Sequence, residues 1–214
     1  MKWFCRNWYN FGLVIAIATI VYLAFNWSAF DWLSRIMWCN FIAILLHQYE
    51  EYGNPGGEPI VMNIILRESD IPDRYPLNQF SAMLVNVVIT YGLYLPAALF
   101  QEAIWLGLAS CLMSFGQIPV HAIMTPRKMH KAGLKRYYNP GLVATFVMAA
   151  LSVCYIWIVC KGDLSSWIDW AIAVGVVIFV TGFLLKFMTY TLLANRQSKW
   201  AFDKEEMNRF KMNI

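Results

Sequence analysis

Six apolar segments, each long enough for a helix to cross a lipid bilayer, constrain the fold of this chain more than any other feature. They cover residues 11–28, 32–49, 79–97, 99–120, 141–160 and 166–187. A transmembrane helix needs about 20 predominantly apolar residues. A helix satisfies its own backbone hydrogen bonds in hydrocarbon, and the alternating pattern of a membrane barrel is absent. The sequence therefore predicts an all-α, polytopic transmembrane helix bundle of about six spans, forming a single domain over residues 1–214.

The composition argues against a soluble domain. Hydrophobic residues make up 59% of the chain and charged residues only 14%, whereas soluble domains carry about 25% charged residues. The five cysteines are scattered through apolar segments without the close pairing of zinc fingers or redox motifs, so we expect free packing residues. The first apolar run lacks the small-residue cleavage pattern of a secretory signal and is interpreted as a retained span.

The distribution of lysine and arginine predicts the orientation in the membrane. In a six-span arrangement, 15 of the 17 basic residues fall on one side, and only Arg35 and Lys161 fall on the other. Cytoplasmic loops collect basic residues. We therefore expect a multi-pass protein of the cell (inner) membrane with both termini in the cytoplasm. The net charge of +4 reflects this topology, so membrane lipids, and no nucleic acid, are the expected partners.

The longest loop on the predicted cytoplasmic side, residues 50–78, contains a segment that is too apolar to be freely solvated. Proline and glycine at residues 53–57 end the second span, and the apolar run at residues 60–66 is too short to cross the bilayer. We therefore expect a re-entrant or interfacial segment near residues 55–66.

The most informative motif for chemistry lies at the inner end of the second span. Positions i, i+3 and i+4 of a helix share one face, so His47, Glu50 and Glu51 are expected to project together. In one interpretation His47 and Glu51 bind a divalent metal, with zinc the expected ion, and Glu50 activates water. In a second interpretation no metal binds, and the adjacent carboxylates hold a proton or a water. In a third, the two acids only mark a solvated helix end.

His121 is the expected third metal ligand. It lies at the inner end of the fourth span, after Pro119, at the same predicted depth as His47. The alternative is a single hydrogen-bonded histidine at a helix end. His130 lies in a basic loop and is expected to be solvated.

Four further residues are candidates for binding a substrate: Asn86, Glu102, Tyr138 and Asn139. Asn86 lies near the inner end of the third span, where hydrogen bonding between helices is the alternative. Glu102 precedes His121 by about 28 Å along a straight helix, so it joins the site only if that helix is broken. Asn139 and Pro140 are typical of a helix start, and the free N–H groups there would suit an anionic ligand.

Several motifs follow one another in a recognisable order. They are HQYEE at residues 47–51, Tyr52, PGG at residues 55–57, Pro59, Asn63 and RYYNPGLVAT at residues 136–145. This ordered set resembles the bacterial HXXEE-motif family of membrane proteins, over about residues 40–150. The resemblance implies a histidine and glutamate pattern similar to that of a membrane-embedded metal enzyme, but it implies no particular activity.

A weaker similarity is to the CAAX prenyl-protease-like family of intramembrane glutamate enzymes. That family also combines a Glu-Glu pair with two histidines on separate spans. The chain departs from its pattern, because Pro55 occupies the position of the expected arginine and the spacing of Phe115 and His121 differs.

Together these features predict a metal-dependent membrane enzyme. We expect a hydrolase that acts from the cytoplasmic side on a lipid-like or membrane-anchored substrate, with His47, Glu51 and His121 holding the ion and Glu50 activating water. One alternative is a non-catalytic binder or a carrier coupled to protons or cations. The other is a glutamate-type intramembrane protease.

Overall fold

The computed structural model describes residues 1–209, a range that contains helices and turns but no strand. Five of its helices are long and apolar enough to cross a membrane, so the predicted class of helical membrane protein is confirmed. The helices are α1 (Lys2–Asn26), α2 (Trp32–Tyr52), α3 (residues 58–66), α4 (Gln79–Leu99), α5 (Ile104–Lys131), α6 (Leu142–Lys161), α7 (Trp167–Leu192) and α8 (Lys204–Asn208).

Helix α2 is a sixth long helix, and it occupies the centre of the bundle. Its 21 residues extend about 31 Å, enough to cross the hydrocarbon core. Thirteen of them are buried, and the helix packs against α1 and α6. Because its neighbours shield it from lipid, α2 can carry polar side chains that would be costly on a lipid-facing helix.

Within residues 1–209, four helices contain π-helical stretches. These are Val61–Leu66 in α3, Thr90–Tyr94 in α4, Pro119–Met124 in α5 and Val180–Leu192 in α7. In α5 the stretch begins at a proline, which has no N–H to donate to the preceding turn. A membrane helix tolerates such a residue through local π adjustments. Helix α5 therefore continues to Lys131, eleven residues beyond the apolar segment that ends at residue 120.

Residues 53–78 fold back onto one end of the bundle. Asn63 is fully buried there; its Nδ2 donates to the carbonyl oxygens of Pro72 and Leu77, both at 2.8 Å. Its Oδ1 accepts from the N–H of Leu77 at 3.0 Å. Helix α3 packs its apolar side against Met129 of α5. The segment expected near residues 55–66 is thus a short, largely buried helix.

The chain that follows α7 crosses the same end of the bundle. The N–H of Phe202 donates to the carbonyl oxygen of Asp73 at 2.7 Å. The guanidinium of Arg209 donates to the carbonyl oxygen of Tyr52, at the end of α2, at 2.6 Å. Residues 193–209 therefore tie the 53–78 segment to the end of α2.

Candidate metal centre

Three buried side chains from two helices meet at the end of the bundle that is covered by residues 53–78. His47 and Glu51 lie one turn apart on α2, and His121 lies in the π-helical stretch of α5. The Nε2 atoms of His47 and His121 are 3.2 and 3.4 Å from the same Glu51 oxygen, Oε1. The candidate donor atoms all lie within 4.8 Å of one another. The predicted convergence of these three residues is confirmed; their role as ligands stays a prediction.

Hydrogen bonds on the far side of each imidazole fix which nitrogen carries the proton. His47 Nδ1 lies 3.0 Å from the carbonyl oxygen of Gly141, which can only accept, so Nδ1 donates. His121 Nδ1 lies 2.9 Å from Oδ1 of Asn139, whose Nδ2 donates to the His121 carbonyl oxygen at 2.8 Å. In neutral rings, both Nε2 atoms therefore direct lone pairs towards Glu51.

These lone pairs face a carboxylate, and a cation resolves the repulsion. Without one, at least one buried imidazole must carry a second proton, or a single proton on Glu51 serves only one of the two histidines. Donor atoms bound about 2.0–2.1 Å from one ion at tetrahedral angles lie about 3.3 Å apart. The observed separations of 3.2 and 3.4 Å match that spacing.

The backbone at Gly141 brings the start of α6 against both imidazoles. A Cβ atom at this position would lie 2.7 Å from Cε1 of His47 and 2.7 Å from Cε1 of His121. Its φ of +88° is also one that residues with a side chain rarely adopt. Glycine is thus required here for both space and conformation.

The comparison with known proteins matches this part of the chain. The matching family is described as proteins of unknown function with the HXXEE motif, and its profile covers residues 38–156. The chain belongs to the HXXEE-motif family. The covered range contains both histidines, both motif glutamates and the Asn139–Gly141 turn that supports the rings. No curated protein and no solved structure matches the chain.

The first glutamate of the HXXEE pair is engaged outside the cluster. Glu50 Oε1 accepts from the hydroxyl of Tyr138 at 2.9 Å and from the N–H of Val143 at 3.2 Å. Its Oε2 accepts from the N–H of Ala144 at 3.0 Å. Glu50 therefore satisfies the free N–H groups at the start of α6 and lies favourably at the positive end of its dipole. These contacts direct Glu50 to the start of α6 and do not support its predicted role in activating water, which stays a prediction.

The connection between α5 and α6 supports the side chains of the cluster, whereas the sequence predicted that Tyr138 and Asn139 bind a substrate. Tyr138 braces Glu50, and burial together with that hydrogen bond raises the pKa of its hydroxyl, so it stays a donor. Asn139 holds the His121 ring instead of capping a helix, because α6 begins at Leu142. The structure gives neither Tyr138 nor Asn139 the predicted direct place in a substrate site.

A cavity of about 200 Å³ adjoins the cluster and reaches His47, Glu51 and His121. All four π-helical stretches in the described chain contribute lining residues. Asn86 is among the lining residues, with its Oδ1 accepting from Gln48 of α2 at 3.3 Å. Asn86 therefore links two helices beside the cavity, and its predicted contact with a substrate stays a prediction.

Glu102 does not belong to this site. It is exposed and lies in the turn between α4 and α5, because α5 begins only at Ile104. Glu102 could reach the cluster only through a break between it and His121, but the chain is broken next to Glu102, between α4 and α5. The structure therefore does not bring Glu102 to the His47 cluster, and its role in substrate binding stays a prediction. His130 is exposed near the end of α5, in agreement with its interpretation as a solvated residue.

Glu58, in α3, is a cavity-lining acid that the sequence analysis missed. It is only 5% exposed, and its Oε2 has no hydrogen-bond partner among the described residues. Burial and the negative charge of Glu51 raise the pKa of Glu58 well above its usual range. One signal in the sequence could have identified it, an acid placed directly before the apolar run of residues 60–66.

Proposed function

We propose that this HXXEE-family protein is a metal-dependent membrane hydrolase. His47, Glu51 and His121 would hold a divalent cation, with zinc the expected ion. The observation that carries the proposal is the geometry of these three residues. Two imidazole Nε2 atoms are directed at one carboxylate oxygen, at 3.2 and 3.4 Å. If both rings are neutral, no placement of protons gives both Nε2 atoms a hydrogen bond.

The chemistry of the donor set fits a catalytic zinc ion. Such sites use three protein ligands, including sets of two histidines and one glutamate, and leave the fourth position open. Metal-binding histidines donate their other N–H to a carbonyl or carboxylate group, which orients the ring. Gly141 and Asn139 supply those acceptors. A bound zinc ion would supply a water that ionises near neutral pH and would polarise a carbonyl or phosphoryl oxygen.

The adjoining cavity supports a substrate of which only the reacting group enters the protein. Its volume of about 200 Å³ is below the roughly 300–1,000 Å³ of pockets that enclose a whole drug-sized ligand, so it suits a small reacting group better than a complete lipid. Polar residues such as Gln48 and Asn86 and apolar residues such as Leu185 line it together. This mixture suits the linkage region of a lipid-like or membrane-anchored substrate.

The proposal includes a location. We place the protein in the cell membrane with both termini and the site on the cytoplasmic side, because 15 of the 17 basic residues lie on that side of a six-span arrangement. Membrane lipids would be its surroundings and the source of its substrate.

A second candidate function is a proton or cation carrier. It is favoured by the single Glu51 oxygen shared between two imidazoles, because a proton there could exchange between the neighbours. This function needs no tightly bound metal.

Metal analysis of the detergent-purified protein separates the two functions. We expect about one zinc ion per chain in the wild type, and loss of that ion in His47→Ala and in His121→Ala. The matched control is His130→Ala, which removes an exposed histidine and should keep the ion. Wild-type protein that takes up no zinc, or equal zinc in all four proteins, would rule out the metal-dependent hydrolase and favour the carrier.

A further inference from the structure

We infer that Glu58 is the general base that takes a proton from the attacking water. This inference rests on the proposed function, since it assigns to Glu58 the role that was predicted for Glu50. Glu58 comes from the 53–78 segment, outside the HXXEE motif, and it shares the cavity with His47, Glu51 and His121.

Glu58 has free hydrogen-bonding capacity inside the cavity. Its Oε2 is fully buried and has no partner among the described residues. A buried carboxylate oxygen without a partner is costly, and such groups in native proteins serve a bound water, an ion or a catalytic step. By contrast, both oxygens of Glu50 are occupied by donors.

Glu58 is not one of the three residues whose donor atoms form the candidate metal site. The set of atoms that lie within 4.8 Å of one another contains His47, Glu51 and His121, and it does not extend to Glu58. Glu58 nevertheless lines the same cavity. An acid that is outside the donor set and lines the same cavity is placed to contact a water bound at the fourth position.

The segment that carries Glu58 is held rigidly. Pro59 and Ile60 beside it are buried, and three hydrogen bonds of Asn63 hold the following chain. A base on a fixed backbone keeps its carboxylate in one position relative to the cluster, which proton transfer at a defined atom requires.

The reaction balances with Glu58 alone as the proton carrier. The oxygen of the water forms a bond to the acyl or phosphoryl centre of the substrate, and Glu58 takes one of its protons. The bond from that centre to its leaving oxygen or nitrogen then breaks, and Glu58 returns the proton to the leaving group. The net change is the addition of one water across the cleaved bond.

The test uses Co²⁺ as a spectroscopic probe of the full-length protein in detergent. Cobalt occupies nitrogen and oxygen sites suited to zinc, and its visible spectrum changes when a bound water ionises. We expect Glu58→Gln to keep about one Co²⁺ per chain. The bound cation favours the ionised form of Glu58, so loss of this negative charge beside the water should lower the pH midpoint of the spectral change by about 1 unit or more.

The substitution leaves the other titratable groups that line the cavity in place: His47, Glu51, Tyr52, Tyr94, His121 and Tyr190. The matched control is Glu68→Gln, because Glu68 follows the same helix but is exposed and paired with Lys128 at 3.0 Å. Its midpoint should equal that of the wild type. If Glu58→Gln does not fold, Glu58→Asp replaces it, and it should keep Co²⁺ with an altered midpoint.

The remaining outcomes of the cobalt experiment would each overturn the assignment of Glu58 as the base. Loss of Co²⁺ from Glu58→Gln would make Glu58 a ligand and overturn its role as a base, while the proposed metal site would stand. Retained Co²⁺ with an unchanged midpoint would place the carboxylate away from the water and also overturn the inference. If the wild type binds no Co²⁺, the proposed function fails, and this inference fails with it.

Discussion

Individual side chains determine how closely the two imidazoles approach Glu51. The start of α6 lies directly against both rings, and Gly141 leaves room for them only because it has no Cβ. The same short stretch supplies the acceptor for His47 and, through Asn139, the acceptor for His121. The cluster therefore depends on residues that would never contact the metal.

Gly141→Ala should disrupt the cluster. The new Cβ would lie 2.7 Å from each ring, so the rings must shift and the metal should be lost. Gly133→Ala is a matched control, because Gly133 also has a positive φ (+84°) but has open space around the Cβ position. Both substitutions should cost about 1–2 kcal/mol of backbone strain, but only Gly141→Ala should lose bound zinc. Equal zinc contents in the two variants would contradict this account.

The two motif glutamates should respond differently to substitution. Glu51→Gln should release the metal, because it removes the charged ligand between the imidazoles. Glu50→Gln should keep the metal and lower the free energy of unfolding by about 1–3 kcal/mol, since it weakens charged hydrogen bonds at the start of α6. Metal analysis and thermal unfolding measure both effects.

Glu205→Gln is the control for these two variants, because its side chain is 84% exposed in a surface ion pair. It should change neither the metal content nor, beyond about 0.5 kcal/mol, the stability. A Glu50→Gln variant that loses its metal while Glu51→Gln retains it would reverse the roles assigned to the two acids.

At the scale of elements, the 53–78 segment closes the end of the bundle beside the site. Helix α3 brings Glu58 to the cavity, and the connection from α3 to α4 is held by the amide of Asn63. The C-terminal stretch, residues 193–209, adds contacts from the opposite end of the sequence.

Asn63→Ala should loosen this segment. It leaves two carbonyl oxygens and one N–H without their side-chain partner in a buried site, which we expect to cost about 2–4 kcal/mol. Trypsin should then cleave faster after Arg67 and Arg74. Asn10→Ala is a suitable control, because Asn10 is exposed and makes one local hydrogen bond. Unchanged cleavage in Asn63→Ala would show that other contacts hold the segment.

The sequence predicted the elements well wherever length and hydropathy decide the outcome. The apolar runs became α1, α4, α5, α6 and α7. The apolar run at residues 99–120 did not give the bounds of α5, because the helix continues past it through a π-helical stretch that local sequence does not reveal. The start of α6 was placed at a capping asparagine, but the side chain of Asn139 is used by His121, 18 residues away.

The site was predictable where it depends on helical spacing and depth. His47 and Glu51 follow from the i, i+4 relation, and His121 follows from its matching depth. The role of Glu50 was not predictable, because its partners lie 88 to 94 residues further along the chain. Glu58 was missed because it follows the Pro-Gly break, where no periodic rule relates it to α2.

At the scale of the whole molecule, the number of crossings determines where the two termini lie. The five most apolar helices alone would place the termini on opposite sides, whereas α2 as a sixth span places them on the same side. The buried position of α2 explains why hydropathy alone ranks it below the others.

Reporter fusions at the two ends of the chain test the six-span topology. We expect cytoplasmic signals from fusions before Met1 and after Ile214, in line with the basic residues on that side. A fusion in the turn at Asp163, between α6 and α7, serves as the control and should report the outer side. Termini on opposite sides would show that α2 does not cross the membrane.

X-ray absorption at the zinc edge of the purified, zinc-loaded protein tests whether two imidazoles and one carboxylate hold one ion. We predict two imidazole nitrogens at about 2.0–2.1 Å and oxygen ligands at about 2.0–2.2 Å, with no sulfur at about 2.3 Å. In His121→Ala, any zinc that remains should show one imidazole fewer. Sulfur in the coordination shell, or a spectrum that His121→Ala leaves unchanged, would contradict the assignment of His47, Glu51 and His121 as the ligands.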